Sequence, residues 1–294
     1  MKSLSSSELI LNPGGSIYHI HLRPEQISDT IITVGDPARV SQIIRYFDTT
    51  EFDQQYREFR TATGIYKNKR LTVLSTGIGT DNIDIVFNEL DALVNIDFNT
   101  RTIKEEHTSL DFIRIGTSGA IQKQIPIDSY IASSYAIGFD NLLHFYKSKT
   151  IRELSLEKSI EKYLPQVKIK PYCVAANHDL LQQLDTTFFE IGITATNSGF
   201  YGPQGRRLRA NPSISSFINE LSNWQSTDYK DLKLTNLEIE TSGIYGMAKL
   251  LGHRAISLNA ILANRIKGTF SSNPEAAIDK LIKHTLAWII NTKD

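Results

Sequence analysis

Arg114 sits inside an apolar run, Phe112-Ile113-Arg114-Ile115, that leads into Gly116-Thr117-Ser118-Gly119. The alternation reads as a buried strand, with the two glycines as its terminating turn. A buried arginine needs an anionic partner. Two kinds of partner fit: an internal carboxylate, or a phosphate whose oxygens match the planar guanidinium fork. Arg39 has a related setting. Thr30-Ile31-Ile32-Thr33-Val34 is a β-branched strand that runs into Gly35-Asp36-Pro37-Ala38-Arg39 and a helix to about Phe47. Asp36 is the expected N-cap, and Pro37 suits the first helical turn. Free N–H groups at such a helix start favour an anion, and Arg39 lies in that first turn.

Other stretches carry groups suited to a planar or hydroxylated ligand. Asn197-Ser198-Gly199-Phe200-Tyr201-Gly202-Pro203-Gln204-Gly205-Arg206-Arg207 is glycine-rich and holds aromatics beside a glutamine and arginines. Aromatic rings offer a stacking face, and Gln with Arg offers a donor/acceptor pattern that suits an amide-like ring. A well-ordered surface loop is the plainer account. Glu238-Ile239-Glu240 opens a helix rich in small residues, where the dipole favours acids and where simple capping is the common role. His19 and His21 lie on one side of Ile17-Tyr18-His19-Ile20-His21-Leu22. That segment is an edge strand or turn, or it offers a polar group to a site in a neighbouring subunit.

The elements that must hold these residues follow from periodicity. Gln55–Phe59 and Arg60–Tyr66 read as strands of a hairpin with Lys67-Asn68-Lys69 at its tip, and 71–75 as a core strand. Ser75-Thr76-Gly77-Ile78-Gly79 is a second strand–glycine–helix junction, with Asp81 or Asn82 as the cap of a helix over 83–93. Residues 95–110 are polar and aperiodic, a surface excursion. Strands are expected at 129–137, 171–176, 191–196 and 255–262, and helices at 151–164, 178–184, 213–224, 242–252 and 275–291. The last carries Ala277, Ile278, Leu281, Ile282, Leu286 and Ile289 as its buried stripe. Residues 1–16 read as a flexible polar arm and 17–294 as one domain, since no composition break divides them.

With 294 residues the chain can bury a substantial core. Lys plus Arg equals Asp plus Glu at 32 each, so no excess positive charge argues for nucleic acid or an anionic membrane. Cys173 is the only cysteine, which excludes an intrachain disulfide and a cysteine-based zinc site. The first residues lack the apolar core of a signal peptide, and no apolar run reaches membrane-spanning length. The expectation is a soluble cytoplasmic protein.

The order and spacing of these turns resemble the nucleoside phosphorylase superfamily, and within it the uridine-cleaving branch, over nearly the whole chain from about His19. The likeness rests on Gly35-Asp36-Pro37-x-Arg39, Tyr56-Arg57-Glu58-Phe59, Ser75-Thr76-Gly77-Ile78-Gly79, Arg114-Ile115-Gly116-Thr117, Phe200-x-x-x-Gln204-x-Arg206, Glu238-Ile239-Glu240 and Asn264-Arg265. It implies a single-domain three-layer αβα fold around a central mixed β-sheet. It also implies reversible phosphorolysis of a pyrimidine nucleoside, with a nucleoside and inorganic phosphate as the small-molecule partners. In that family pattern Gly35, Arg39, Arg114 and Thr117 bind phosphate, joined by Arg57 from a partner subunit. Glu238, Ile239 and Glu240 meet the ribose, with His19 donated across the dimer to its 5′-hydroxyl. Gln204 and Arg206 read the base beside Phe200, so Arg114, Thr117, Gln204 and Arg206 are the expected catalytic set.

The resemblance calls for no metal or redox cofactor. It implies a homo-oligomer of at least two subunits, and a hexamer built from dimers is common. Purine-cleaving relatives place an aspartate where Asn264 falls, which favours a pyrimidine here, and Arg265 matches a group that supports Arg206. Gly79-Thr80-Asp81-Asn82 departs from the usual Gly-Pro-Ser, which puts a structural monovalent cation near Glu58 in doubt. A purine or broad-specificity phosphorylase, a water-using nucleosidase and a non-catalytic nucleoside-binding protein are the alternatives. The arginine cluster argues against the nucleosidase, because a water nucleophile needs none.

Overall fold

All five residues of Thr30–Val34 are buried, as a strand covered on both faces requires. Ile31 packs into one apolar cluster and Ile32 into another, and the pairs Phe112/Ile113 and Ala255/Ile256 divide the same way. Adjacent strand side chains point to opposite faces, so these pairs place an apolar layer on each side of one sheet. The computed structural model describes residues 3–226, 229 and 232–292. In chain order the elements are β1 (Thr30–Val34), α1 (Pro37–Ile44), β2 (Thr49–Tyr56), β3 (Phe59–Tyr66), β4 (Lys69–Ser75), α2 (Thr80–Asn95), β5 (Ile96–Asp97), β6 (Thr102–Ile103) and β7 (Asp111–Ala120). They continue with β8 (Tyr130–Phe139), α3 (Leu154–Tyr163), β9 (Tyr172–Ala175), α4 (His178–Gln182), β10 (Glu190–Asn197), α5 (Phe217–Asn223), β11 (Leu234–Glu238), α6 (Thr241–Leu250), β12 (Arg254–Asn264), β13 (Thr269–Phe270) and α7 (Pro274–Asn291).

Helices α2 and α6 cover one face, through Ile83, Phe87, Ile244 and Met247. Helices α1, α4 and α7 cover the other, through Val40, Leu180, Leu281 and Ile282. The expected stripe of α7 is buried throughout. The mixed central sheet and its two helical layers are those the sequence predicts. Its strand pairing carries more than periodicity reveals. Strand β1 lies parallel between β4 and β7, and β7 is also parallel to β12. From β12 the sheet runs antiparallel to β8, then parallel to β10 and β11, and β11 pairs back onto β7 at Asn236↔Ala120 and Leu237↔Gly119. Strands β7, β12, β8, β10 and β11 therefore close into a ring. The C-terminal ends of β7 and β12 lie side by side at its rim, while β1 ends beside Arg114 and Ile115, midway along β7.

Local differences from the sequence reading have physical causes. Gly116 and Gly119 do not end the strand; β7 runs through both to Ala120. A Cβ on Gly116 would lie 1.8 Å from Arg114 Nη1, so the glycine makes room for the guanidinium folded over it. Lys67-Asn68 forms the turn between β3 and β4, whereas β2 and β3 join at Arg57-Glu58. Lys67 and Asn68 both have positive φ, the two-residue hairpin geometry. Helix α5 begins at Phe217, four residues after the expected start. The 95–110 excursion contains the β5–β6 hairpin. Arg101 beyond β5 donates to the carbonyls of Leu4, Ser5 and Leu9, and Leu9 is buried. Described residues of the expected arm are thus packed against the body. Among the described residues no helix is long and apolar enough to cross a membrane.

Candidate active site

A cavity of about 670 Å³ opens along β7, from the end of β1 to the ends of β7 and β12. At the end of β1, Asp36 caps α1 by accepting from Ala38 N–H at 2.8 Å, with Pro37 in the first turn as expected. That cap aims Arg39 at the cavity. Arg39 Nη1 reaches only the Ile115 carbonyl at 3.5 Å, and its Nε is buried with no hydrogen-bond partner. Burial, then repulsion from Arg114, pushes the Arg39 pKa down. The guanidinium is therefore a cation whose surroundings in the free protein disfavour it.

Arg114 is differently satisfied. Its Nη2 donates to Glu240 Oε2 at 2.7 Å and lies 3.1 Å from Glu238 Oε2, while Nη1 donates to Asn259 Oδ1 at 2.7 Å. Burial alone would lower its pKa, but the two carboxylates hold it above its ordinary value. The internal ion pair and the anion site are thus not exclusive, because Arg114 also lines the cavity.

The two glutamates divide their work. Glu238 Oε1 accepts from Thr196 Oγ1 at 2.7 Å, and Oε2 accepts from the N–H groups of Glu240 at 2.8 Å and Thr241 at 3.0 Å. Its lone pairs are committed to the start of α6. Glu240 accepts from Gly79 N–H at 2.9 Å and from Arg114, which leaves acceptor capacity toward the cavity. Burial raises the Glu240 pKa against the pull of Arg114, and Glu238 adds to the rise. Gly79, with φ of 92°, is the N-cap of α2; neither Asp81 nor Asn82 fills that role. Gly77 also has positive φ, and a Cβ there would meet Asn82 Nδ2 at 2.3 Å. Backbone geometry at both glycines thus shapes this wall.

The far end of the cavity is built from the loop after β10. Gln204 is buried; its Nε2 donates to the Glu238 carbonyl at 3.3 Å and its Oε1 accepts from Arg206. Arg206 also donates to the Phe200 carbonyl at 2.7 Å, and its guanidinium lies 3.6 Å from the centroid of the Phe200 ring. One face of that ring is therefore occupied by Arg206. Burial, then the Arg265 charge, lowers the Arg206 pKa to about 10. Arg265 Nη2 donates to the Gln204 carbonyl at 3.2 Å, and its Nη1 is buried without a partner. The charge pattern is thus an under-partnered Arg39 in the cavity wall, Arg114 neutralised by Glu238 and Glu240, and Arg206 in the wall with Arg265 as a like-charged neighbour behind it.

Gly35, Arg39, Arg114, Thr117, Phe200, Gln204, Arg206, Glu238, Ile239 and Glu240 all line this cavity. His19 and Arg57 do not. Arg57 is exposed at the β2–β3 turn, 5.6 Å from the Tyr18 ring centroid, and Tyr18 in turn packs edge-on against His19 at 4.7 Å. These residues form a separate surface patch beside Glu58, which does reach the cavity. Asn264 lies outside the lining. Its Nδ2 donates to the carbonyls of Gln122 and Ile125, and its Oδ1 accepts from Ile266 and Lys267 N–H, so its amide closes a turn outside the cavity. Leu262 and Ala263 line the wall instead, where a register shift between Ile261 and Ala263 re-aims β12. Of the acidic residues lining the cavity, Glu238 is the one Gln204 touches, through its carbonyl, while the Glu238 carboxylate is turned to Arg114, Thr196 and the start of α6.

Sequence reasoning missed Asn259, whose only signal is a buried amide in an apolar strand opposite Arg114's strand. It also missed Phe270, an exposed aromatic just past the last long strand. A cluster of Asp91, His107 and His253 has metal-like spacing. It lies at the opposite ends of β7 and β12, however, and Leu110 N–H donates to His253 Nδ1. That bond leaves the ring proton on Nε2, the atom facing Asp91, so the ring offers no lone pair there.

The fold and this pocket define a phosphorylase: the sequence profile of the Phosphorylase superfamily matches residues 29–287, and the chain belongs to that superfamily. Among individual relatives, the uridine phosphorylase of Thermococcus kodakarensis is 28% identical over 281 residues, 93% of this chain and 88% of the relative. A DeoD-type purine nucleoside phosphorylase of Geobacillus stearothermophilus is 25% identical over 280 residues, 90% of this chain and 98% of the relative. Among solved structures, a Trypanosoma brucei nucleoside phosphorylase, described as showing uridine phosphorylase activity, matches with a TM-score of 0.87. Its identity is 28%, covering 96% of this chain and 99% of that one.

Proposed function

We propose that the chain is a uridine phosphorylase, catalysing reversible phosphorolysis of uridine to uracil and ribose 1-phosphate. The observation that carries the reading is Arg39: a cation with a buried, unpartnered Nε, beside the Arg114–Glu240 pair, in a pocket whose far wall is Gln204 and Arg206. A phosphate dianion supplies the partner that Arg39 lacks and screens it from Arg114. Thr117 offers a hydroxyl on the same wall. Glu240, with acceptor capacity left, takes a ribose hydroxyl above Ile239.

A phosphate oxygen attacks the anomeric carbon as the carbon–nitrogen glycosidic bond breaks, and the bonding electrons leave with uracil. Positive charge develops on the ribose beside the phosphate, and negative charge develops on uracil beside Arg206 and Gln204. Stabilisation of both by groups already in place is differential binding of the transition state. Glu238 and Glu240 are both ion-paired with Arg114, which disfavours proton delivery from either carboxylic acid to a purine leaving group. Arg57 and His19 lie outside the cavity of their own chain, which supports the reading that they complete the site of a neighbouring copy in an active species of at least two subunits.

Uracil release from uridine, measured with and without inorganic phosphate and with inosine as control, tests the reading. Phosphate-dependent release from uridine but not inosine is expected. Phosphate-independent release would make the chain a nucleosidase, and no turnover would refute catalysis.

A further inference from the structure

His19 belongs to an irregular turn without ladder hydrogen bonds, yet its ring is held by one side chain. Glu89 projects from the second half of α2, a 16-residue helix. Its carboxylate accepts from the backbone N–H of His19 at 2.9 Å and of Ile20 at 2.8 Å, and from His19 Nδ1 at 2.6 Å. The Glu89 side chain is 12% exposed and the His19 side chain 30%. One rigid helix thus fixes both the path of the turn and the rotation of the ring. Around it, Ile20 and Leu22 are buried, and Asn12 Nδ2 donates to the Ile17 carbonyl at 2.8 Å, so the turn is pinned at its ends.

We infer that Glu89 is a positioning residue: it holds His19 with Nδ1 protonated and Nε2 directed outward to accept from the ribose 5′-hydroxyl in the neighbouring site. The hydrogen bond made by one ring nitrogen determines the state of the other. A carboxylate on Nδ1 keeps a proton there, so in the neutral ring the lone pair is on Nε2. Screening of this contact by water is limited because the carboxylate is mostly buried. Loss of the charged acceptor frees the ring to rotate and to place its proton on either nitrogen. The inference rests on the phosphorolysis reading above and adds to it a residue that touches neither substrate nor reacting atoms.

The test compares uridine with 5′-deoxyuridine, which lacks the hydroxyl that Nε2 would meet. E89Q should lower kcat/KM for uridine by about tenfold, the weight of one charge-assisted hydrogen bond, and leave 5′-deoxyuridine within about twofold. In an H19A background E89Q should have no further effect on uridine. An equal loss on both substrates would make Glu89 merely structural and overturn the inference, as would an unchanged rate with uridine. Where E89Q does not yield folded protein, E89D, which withdraws the carboxylate by one methylene, is held to the same comparison. A wild-type chain that turns over both substrates equally would remove His19 from the 5′-position and sink the inference alone. A wild-type chain with no phosphate-dependent turnover of either would sink the phosphorolysis reading as well.

Discussion

Replacing Arg39 by methionine should make the phosphate-free protein more stable while weakening its hold on phosphate, an uncommon pairing of effects. In the free protein the guanidinium has one 3.5 Å contact to Ile115 O, a buried Nε without a partner, and Arg114 as a like-charged neighbour. An unsatisfied buried polar group costs about 1–3 kcal/mol. A methionine side chain fills the same stem volume without that cost, so the R39M protein should unfold about 2 °C or more above the parent in buffer free of phosphate. The loss on binding is worked from the other side. A charge-assisted hydrogen bond is worth about 1.5–3 kcal/mol, so the phosphate Kd should rise about 10- to 100-fold. Phosphate at about 100 times the parent Kd stabilises the parent by about 2.7 kcal/mol; the same concentration should stabilise R39M by only about 0.4–1.4 kcal/mol. Thermal unfolding with and without phosphate reads both numbers. R114M supplies the contrast: it strands Glu238 and Glu240 as buried charges and should lose about 3–5 kcal/mol. An R39M protein that unfolds below the parent and keeps the full phosphate shift would refute the reasoning.

Gly116→Ala places a methyl where Arg114 Nη1 now lies, so the guanidinium must leave its carboxylates or the strand must give. The expected cost is about 1–3 kcal/mol in urea unfolding, with a fall in phosphorolysis on the order of a hundredfold from misplacing Arg114. The pH dependence at the base end follows from Arg206, whose pKa burial and then Arg265 lower to about 10. A depressed cation is charged below that value and neutral above it, so the Arg206 contribution to kcat/KM should be present below about pH 10 and lost above it, read against the ionisation of the uracil N3–H itself. Arg265→Gln removes the like charge and should move that alkaline limb upward; a limb that stays in place or moves down would dissociate Arg206 from it.

Much of this architecture is local and therefore legible in the chain. Asp36-Pro37 opens α1 because a carboxylate cap and a fixed φ act over a few residues. The stripe of α7 follows from the 3.6-residue period alone, and the alternation in 112–115 marks a strand wherever it pairs. The residue types that line the cavity were likewise readable as a set. What each one does there was not. Arg114 meets Glu240 across 126 residues and Gly79 meets it across 161, contacts that no window of sequence contains. Gly116 reads as a turn until the guanidinium folded over it shows why a side chain is excluded. Glu238 and Glu240 are near-identical signals on either side of Ile239, yet the closing of β11 onto β7 spends one on the start of α6 and leaves the other facing the cavity. Asn264 falls where purine-cleaving relatives place an aspartate, but past a register shift in β12 its amide turns into a loop and Ala263 comes to the wall. Sequence by itself determined which elements form, because caps and periodicity act within a helical turn or a strand. Tertiary structure decided which polar groups remain unsatisfied enough to bind a ligand, because that depends on every partner the fold brings within hydrogen-bond reach.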